Sequence, residues 1–142
     1  MEELQSIAKN IRKSILKMTL YSKSSHIGSA LSIVEILTIL YFQILKIDPK
    51  IPDAPDRDIF ILSKAHGSAA LYSILAEKGF FSKSFLDKYY VDEGVLPGHV
   101  DKDSVPGIEF STGSLGHGFP VAVGMAIANN TSENKRKIYT II

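Results

Sequence analysis

The sequence predicts an α/β domain built on a parallel sheet with helices on both faces, and three observations carry that prediction. The continuous apolar run Ile59-Phe60-Ile61-Leu62 and the strand-prone run Ile138-Tyr139-Thr140-Ile141-Ile142 have the length and composition of buried strands. Helical patterns precede the first run and separate it from the second, which is the alternation of a parallel sheet. Glycine-rich turns lie just after the first run and just before the last helix, where ligands bind at the carboxyl ends of such strands. Two strands are fewer than a whole sheet, so residues 1–142 are expected to form one partial domain.

The elements follow in order. Residues 4–20 place Leu4, Ile7, Ala8, Ile11, Ile15 and Met18 at helical spacing, with Lys9, Arg12, Lys13 and Lys17 on the other face. A polar stretch, 22–29, holds His26 and Gly28. Ser32-Ile33-Val34-Glu35 reads as a capping box. The apolar run behind it covers nearly every face, so this second helix is expected to be deeply buried or at an interface. It ends near Asp48-Pro49, and Pro49, Pro52 and Pro55 mark a loop. After the first strand, residues 63–68 form a polar turn and 69–78 a helix with Gly79 closing it. A shorter helix, 82–89, has Ser82 as its N-cap. Residues 91–118 are rich in Gly and Pro, yet keep Val95, Leu96, Val100, Val105, Ile108 and Phe110, which predicts an ordered, functional loop. Residues 119–129 are helical, with Pro120 in the first turn.

Composition narrows the class. Hydrophobic residues are 45% and charged residues 22% of the 142, an ordinary globular balance. A net charge of +1 with dispersed basic residues argues against a nucleic-acid partner, and Lys135-Arg136-Lys137 reads as a solvated loop. There is no cysteine, which excludes disulfides and thiolate chemistry. Met1-Glu2-Glu3 lacks the basic start of a secretory signal, and the apolar run 33–47 is too short and interrupted to span a membrane. A cytoplasmic protein without membrane contact is expected.

The residues able to carry chemistry are concentrated in the turns. All four histidines, His26, His66, His99 and His117, have a glycine adjacent or two positions away. A single loop histidine is compatible with plain solvation; four of four point towards a ligand. No two are three to five residues apart and cysteine is absent, so zinc ligation is not expected from the spacing. No Gly-x-Ser-x-Gly elbow accompanies the serines. Ile61-Leu62-Ser63-Lys64-Ala65-His66-Gly67-Ser68 brings a buried strand onto a helix start, where amides, Lys64 and His66 suit an anion. Thr112-Gly113-Ser114-Leu115-Gly116-His117-Gly118 is a second tight turn before a helix, matching neither the dinucleotide fingerprint nor the phosphate-binding P-loop.

Taken in order, these blocks resemble the transketolase family. Ser25-His26-Ile27-Gly28 resembles the family's first histidine segment. Asp56-Arg57-Asp58 through Leu62-Ser63-Lys64-Ala65-His66-Gly67 resembles the second, Leu96-Pro97-Gly98-His99 the third, and Pro106-Gly107-Ile108-Glu109 with Ser111 to Gly118 the fourth. The Ser-Leu-Gly-His-Gly form is most similar to the amino-terminal subunit of split transketolases. Ser25 and Ile27 replace a glycine and a proline, Ala65 stands at a usual glycine, and His117 replaces a common glutamine.

The resemblance implies a thiamine-diphosphate-binding fold and transfer of a two-carbon ketol unit from a ketose phosphate to an aldose phosphate in pentose phosphate metabolism. It implies that His66 and the turn Gly113, Ser114 and Leu115 contact the cofactor, and that His26 and His99 face the sugar and move protons. Magnesium accompanies the diphosphate in the family; its Gly-Asp-Gly motif and later asparagine would begin after Ile142, so this chain is expected to supply no metal ligand. Alone it is not expected to turn over substrate. A C-terminal subunit or remaining segment, within an oligomer, would complete it. The alternative is a non-catalytic relic or regulatory partner docking on a complete transketolase-like protein. A third reading is an unrelated phosphate-binding α/β module.

Overall fold

A computed structural model describes residues 2–132 and 135–142. Met1 of the acidic start, and two residues of the polar turn before the last strand, lie outside the described residues.

The first helix, α1 (Glu2–Ser22), buries Ala8, Ile11, Ile15 and Met18 along the predicted stripe. Its neighbours are α2 (Ile27–Leu31) and α3 (Val34–Ile39), the latter running into a π-helical turn, Leu40–Ile44. Here the structure departs from the expected capping box. Ser32 closes α2, its amide donating to the Gly28 carbonyl, while its hydroxyl donates to Ser29 O at 2.9 Å. Ile33 stands at the N-cap of α3, without a side-chain bond. Glu35 instead pairs with Arg12 of α1. The physical reason is the short helix α2: the serine already serves its last turn, so the polar stretch and the single long helix expected here are two short helices with a break between them. Val34, Leu37 and Tyr41 are buried, whereas Ile36, Ile39 and Ile44 face outward, so the deep-burial expectation holds for one face only.

Strand β1 (Ile59–Leu62) is wholly buried and pairs in parallel with β2 (Ile138–Ile141), Ile59 opposite Ile138 and Leu62 opposite Ile141. Alternation sorts the side chains between two cores. Phe60, Leu62, Tyr139 and Ile141 join the main core of α1, α3 and α4. Ile59, Ile61 and Ile138 pack with Ala122 and Met125 of α5 (Gly118–Asn129). Helices therefore cover both faces, as expected. β2 is half-buried rather than buried. Asp58 ties the two strand starts together, its carboxylate accepting from the amides of Lys46 at 2.9 Å and Lys137 at 3.0 Å.

The turn after β1 is a 3-10 turn, Ala65–Gly67, leading into α4 (Ser68–Lys78), which is almost entirely buried and ends at Gly79 in the left-handed region. The segment Lys83–Lys88 is 3-10 rather than α-helical, with Ser82 accepting from the Ser84 amide. The long loop is ordered by a parallel bridge, Tyr89 to Leu96, and an antiparallel one, Val100 to Thr112. Leu96, Val100, Val105 and Ile108 anchor it in the main core, while Val95 and Phe110 remain exposed. No helix is long and apolar enough to cross a membrane among the described residues.

Candidate functional site

Three of the four histidines meet. The ring centroids of His26 and His66 are 4.4 Å apart, His66 and His99 5.1 Å, and His26 and His99 5.5 Å, all edge to face. One nitrogen from each ring lies within 4.8 Å of those of the other two. His26 precedes α2, His66 sits in the 3-10 turn beyond β1, and His99 comes from the long loop. Segments up to 73 residues apart in sequence thus converge beyond the carboxyl end of β1, where an open α/β sheet places its ligands. His117 is not part of the cluster; it stands exposed at the N-cap of α5.

The second turn is fixed to the same strand end. Thr112 Oγ1 donates to Leu62 O at 2.8 Å, and the Phe119 amide donates to Ser63 Oγ at 3.0 Å. Gly118 lies against Ser63 so closely that an added methyl would sit 2.7 Å from its Cα. Between these anchors, Gly113 and Gly116 face open space, Ser114 is exposed, and Leu115 is 66% exposed. A rigid turn presenting an uncovered leucine suits an apolar ligand ring.

The anion cradle read at the start of α4 is not open. Ser68 is fully buried, donating to Gly98 O at 2.6 Å, and Gly67 is closed against Ile33. Donors for an anion here are therefore the side chains of Lys64, which reaches Ser32 Oγ at 2.8 Å, and His66, rather than the helix amides. Ala65 places its methyl wholly inside the protein.

Sequence reasoning passed over the residues that hold His99. Tyr72 donates its hydroxyl to the His99 carbonyl at 2.9 Å, and Ser68 holds the preceding Gly98. Burial pushes the Tyr72 hydroxyl up to about 12, so it stays a donor throughout the physiological range. Helical spacing marks Tyr72 only as core; its hydroxyl within a buried helix is the signal that a partner had to exist. Loss of hydration lowers the pKa of His26 below 6.5, reinforced by the like charge that His66 and His99 would carry.

The donor set matches the organic cofactor better than its metal. Imidazoles, an ammonium group and a glycine turn suit a diphosphate and an aromatic ring. Magnesium demands oxygen ligands, and the one group of three candidate ligands among the described residues is all nitrogen.

Comparison with known proteins identifies the family and the fold. A family profile described as "Transketolase, thiamine diphosphate binding domain" matches residues 4–139. The chain is 48% identical to one subunit of the apulose-4-phosphate transketolase of Actinobacillus succinogenes, covering 99% of this chain and 51% of that protein. It is 46% identical to the 6-deoxy-6-sulfo-D-fructose transketolase subunit SqwG of a Clostridium species, with 99% and 51% covered. The solved transketolase of Campylobacter jejuni superposes with a TM-score of 0.86 at 32% identity, over 99% of this chain and 23% of that one. The chain spans about half the length of the curated relatives it matches.

Proposed function

Because this chain belongs to the transketolase thiamine-diphosphate-binding family, we propose that it is the amino-terminal part of a transketolase-type transferase. It moves a two-carbon ketol unit from a ketose to an aldose phosphate, in the cytoplasm, together with the segments or subunit that complete the site. The observation that carries this reading is the convergence of His26, His66 and His99 beyond β1. The two relatives are named for a phosphorylated and a sulfonated sugar, which supports a donor or acceptor with an anionic terminus.

When bound, thiamine diphosphate supplies the electron sink that carbon–carbon cleavage requires. The protein's residues do the rest. His66 and Lys64 offer donors to the diphosphate, and Leu115 on the Gly113-Ser114 turn covers an apolar face of the cofactor. His26 and His99 hydrogen-bond the sugar hydroxyls and take or return the hydroxyl proton at a ring nitrogen. His26 is suited to accept a proton, because loss of hydration and the two neighbouring imidazoles favour its neutral form. Magnesium on the diphosphate would need oxygen ligands, which the histidine cluster does not offer.

The test is reconstitution of the native protein with its C-terminal partner, thiamine diphosphate and magnesium, followed by product formation from a ketose phosphate and an aldose phosphate. Turnover is expected with both halves and with neither alone. His26→Ala and His99→Ala should each lower kcat by about 10²–10⁴-fold. A partner that turns over fully without this chain, and is unaffected by it, would replace the transferase reading with that of a regulatory relic.

A further inference from the structure

Tyr90, nine residues before His99, is out of place on both its backbone and its exposure. It carries a bulky side chain at a φ of 50°, in the left-handed region that glycine or asparagine takes more readily. It is also 57% exposed, so burial in the core does not account for the strain. Strained backbone persists where its surroundings fix it, and it gathers at functional sites. Here the surroundings are specific. The Tyr90 amide donates to Leu96 O at 2.7 Å, beside the bridge that pairs Tyr89 with Leu96. The ring then lies over Gly98, where an added methyl would stand 2.7 Å from both Cδ2 and Cε2 of Tyr90.

We propose that Tyr90 is a positioning residue for His99, its ring covering the solvent side of Gly98 so that the next residue's imidazole is held in place. Gly98 is gripped twice. From the core, Ser68 Oγ donates to its carbonyl at 2.6 Å, and the hydroxyl of buried Tyr89, 3.3 Å away, donates to Ser68 in turn. From solvent, the Tyr90 ring fills the space that a side chain on Gly98 would take. Two consecutive tyrosines thus act on one glycine, one from each side. Held at its carbonyl alone, a glycine keeps wide freedom at its Cα, and the swing passes directly to His99. Catalytic groups work when neighbours hold them within about 0.5 Å of their productive place. His26 and His66 stand on other elements, before α2 and in the turn after β1, so the effect belongs to His99. The catalytic consequence rests on the proposed transfer reaction; the positioning does not.

The test compares Tyr90→Gly and Tyr90→Phe with the native protein in the reconstituted assembly. Glycine removes the ring and relieves the left-handed strain, so the unfolding midpoint of Tyr90→Gly should hold or rise. Its kcat should fall by about 10–10²-fold, the cost of a misplaced catalytic group. Thiamine diphosphate affinity should not change, because the proposed cofactor contacts lie with His66, Lys64 and Leu115. Tyr90→Phe keeps the ring and should restore native kcat. In proton NMR the His99 ring signal should be single in the native protein and in Tyr90→Phe, and broadened or doubled in Tyr90→Gly, with His117 unaffected. A native assembly that fails to turn over would remove the transfer reading, and the His99 signal would still decide the positioning. The inference is overturned if Tyr90→Gly retains a single His99 signal or native kcat, if Tyr90→Phe falls as far as Tyr90→Gly, or if the loss of kcat comes with a lowered midpoint.

Discussion

His26 shows how a single ring is tuned by its surroundings. It gives up water and faces two further imidazoles, and both effects disfavour its charged form. Its folded pKa therefore lies below the 6.5 of a free histidine. The unfolded chain binds a proton more readily, so the ring contributes stability that is present above pH 6.5 and lost as pH falls through the folded value. A proton-NMR titration should find His26 below 6.5, and in His66→Ala its pKa should rise only in part, since loss of hydration is the larger cause. A His26 ring titrating at or above 6.5 would contradict the clustered geometry. Gly118 is the second residue whose role is set by one contact. A methyl there meets backbone, Ser63 Cα at 2.7 Å, which cannot swing aside. Gly118→Ala should cost about 1–3 kcal/mol in thermal or urea unfolding by lifting α5 from β1. An unchanged midpoint would mean that the helix does not pack as closely as the contact requires.

At the scale of elements, the strands and the long helices were legible because their patterns are strong and local. Ile59 to Leu62 is a four-residue apolar run, and the α1 stripe repeats over four turns. The break at Ser32-Ile33 was not legible. The Ser-x-x-Glu pattern fits a cap equally well, and what decides against it is tertiary: Lys64 and Ser29 engage the hydroxyl while Arg12 takes the glutamate. The convergence of His26, His66 and His99 was legible only through family resemblance, since no spacing rule joins residues on three loops. The ion pair Arg57–Glu109 was missed altogether. It joins the approach to β1 to the loop that carries both His99 and the Gly113 turn, and each side chain is 14% exposed. Tyr41, alongside it, is held protonated by its own burial and by Glu109. Removing one member strands a charge with little water. Arg57→Met and Glu109→Met should each destabilise by about 2–3 kcal/mol, somewhat less than for a fully buried pair. The double variant Arg57→Met/Glu109→Met should lose less than the sum of the two Met singles. Strict additivity in denaturant unfolding would show that the pair does not act as a unit.

Viewed as a whole, the molecule has helices on both faces of its sheet, and the helices of each face leave large apolar side chains uncovered. Along α5, Phe119, Val123 and Ile127 recur every four residues and all are exposed, Ile127 to 66%. Ile36 and Ile39 of α3 and Ile44 of the π-helical turn after it are exposed as well. A contiguous row such as that of α5 is the mark of an interaction surface rather than of a free exterior. The α5 row begins one residue from the Gly118 contact and four from Leu115, so on the proposed function a partner seated on it is expected to close over the Gly113 turn as well. That links association to cofactor retention: a partner seated on α5 shields Leu115 and the Gly113 turn from water, and a chain without that partner leaves them open. Ile127→Asp tests the link. At an exposed position it should shift the stability of the isolated chain by no more than about 0.5 kcal/mol. In the reconstituted assembly it should weaken association by at least about tenfold, as a buried charge without a partner does, and thiamine diphosphate affinity should fall with it. If sedimentation shows association intact in Ile127→Asp, the α5 row is not the covered face. If association falls while cofactor affinity holds, the turn is closed by this chain alone.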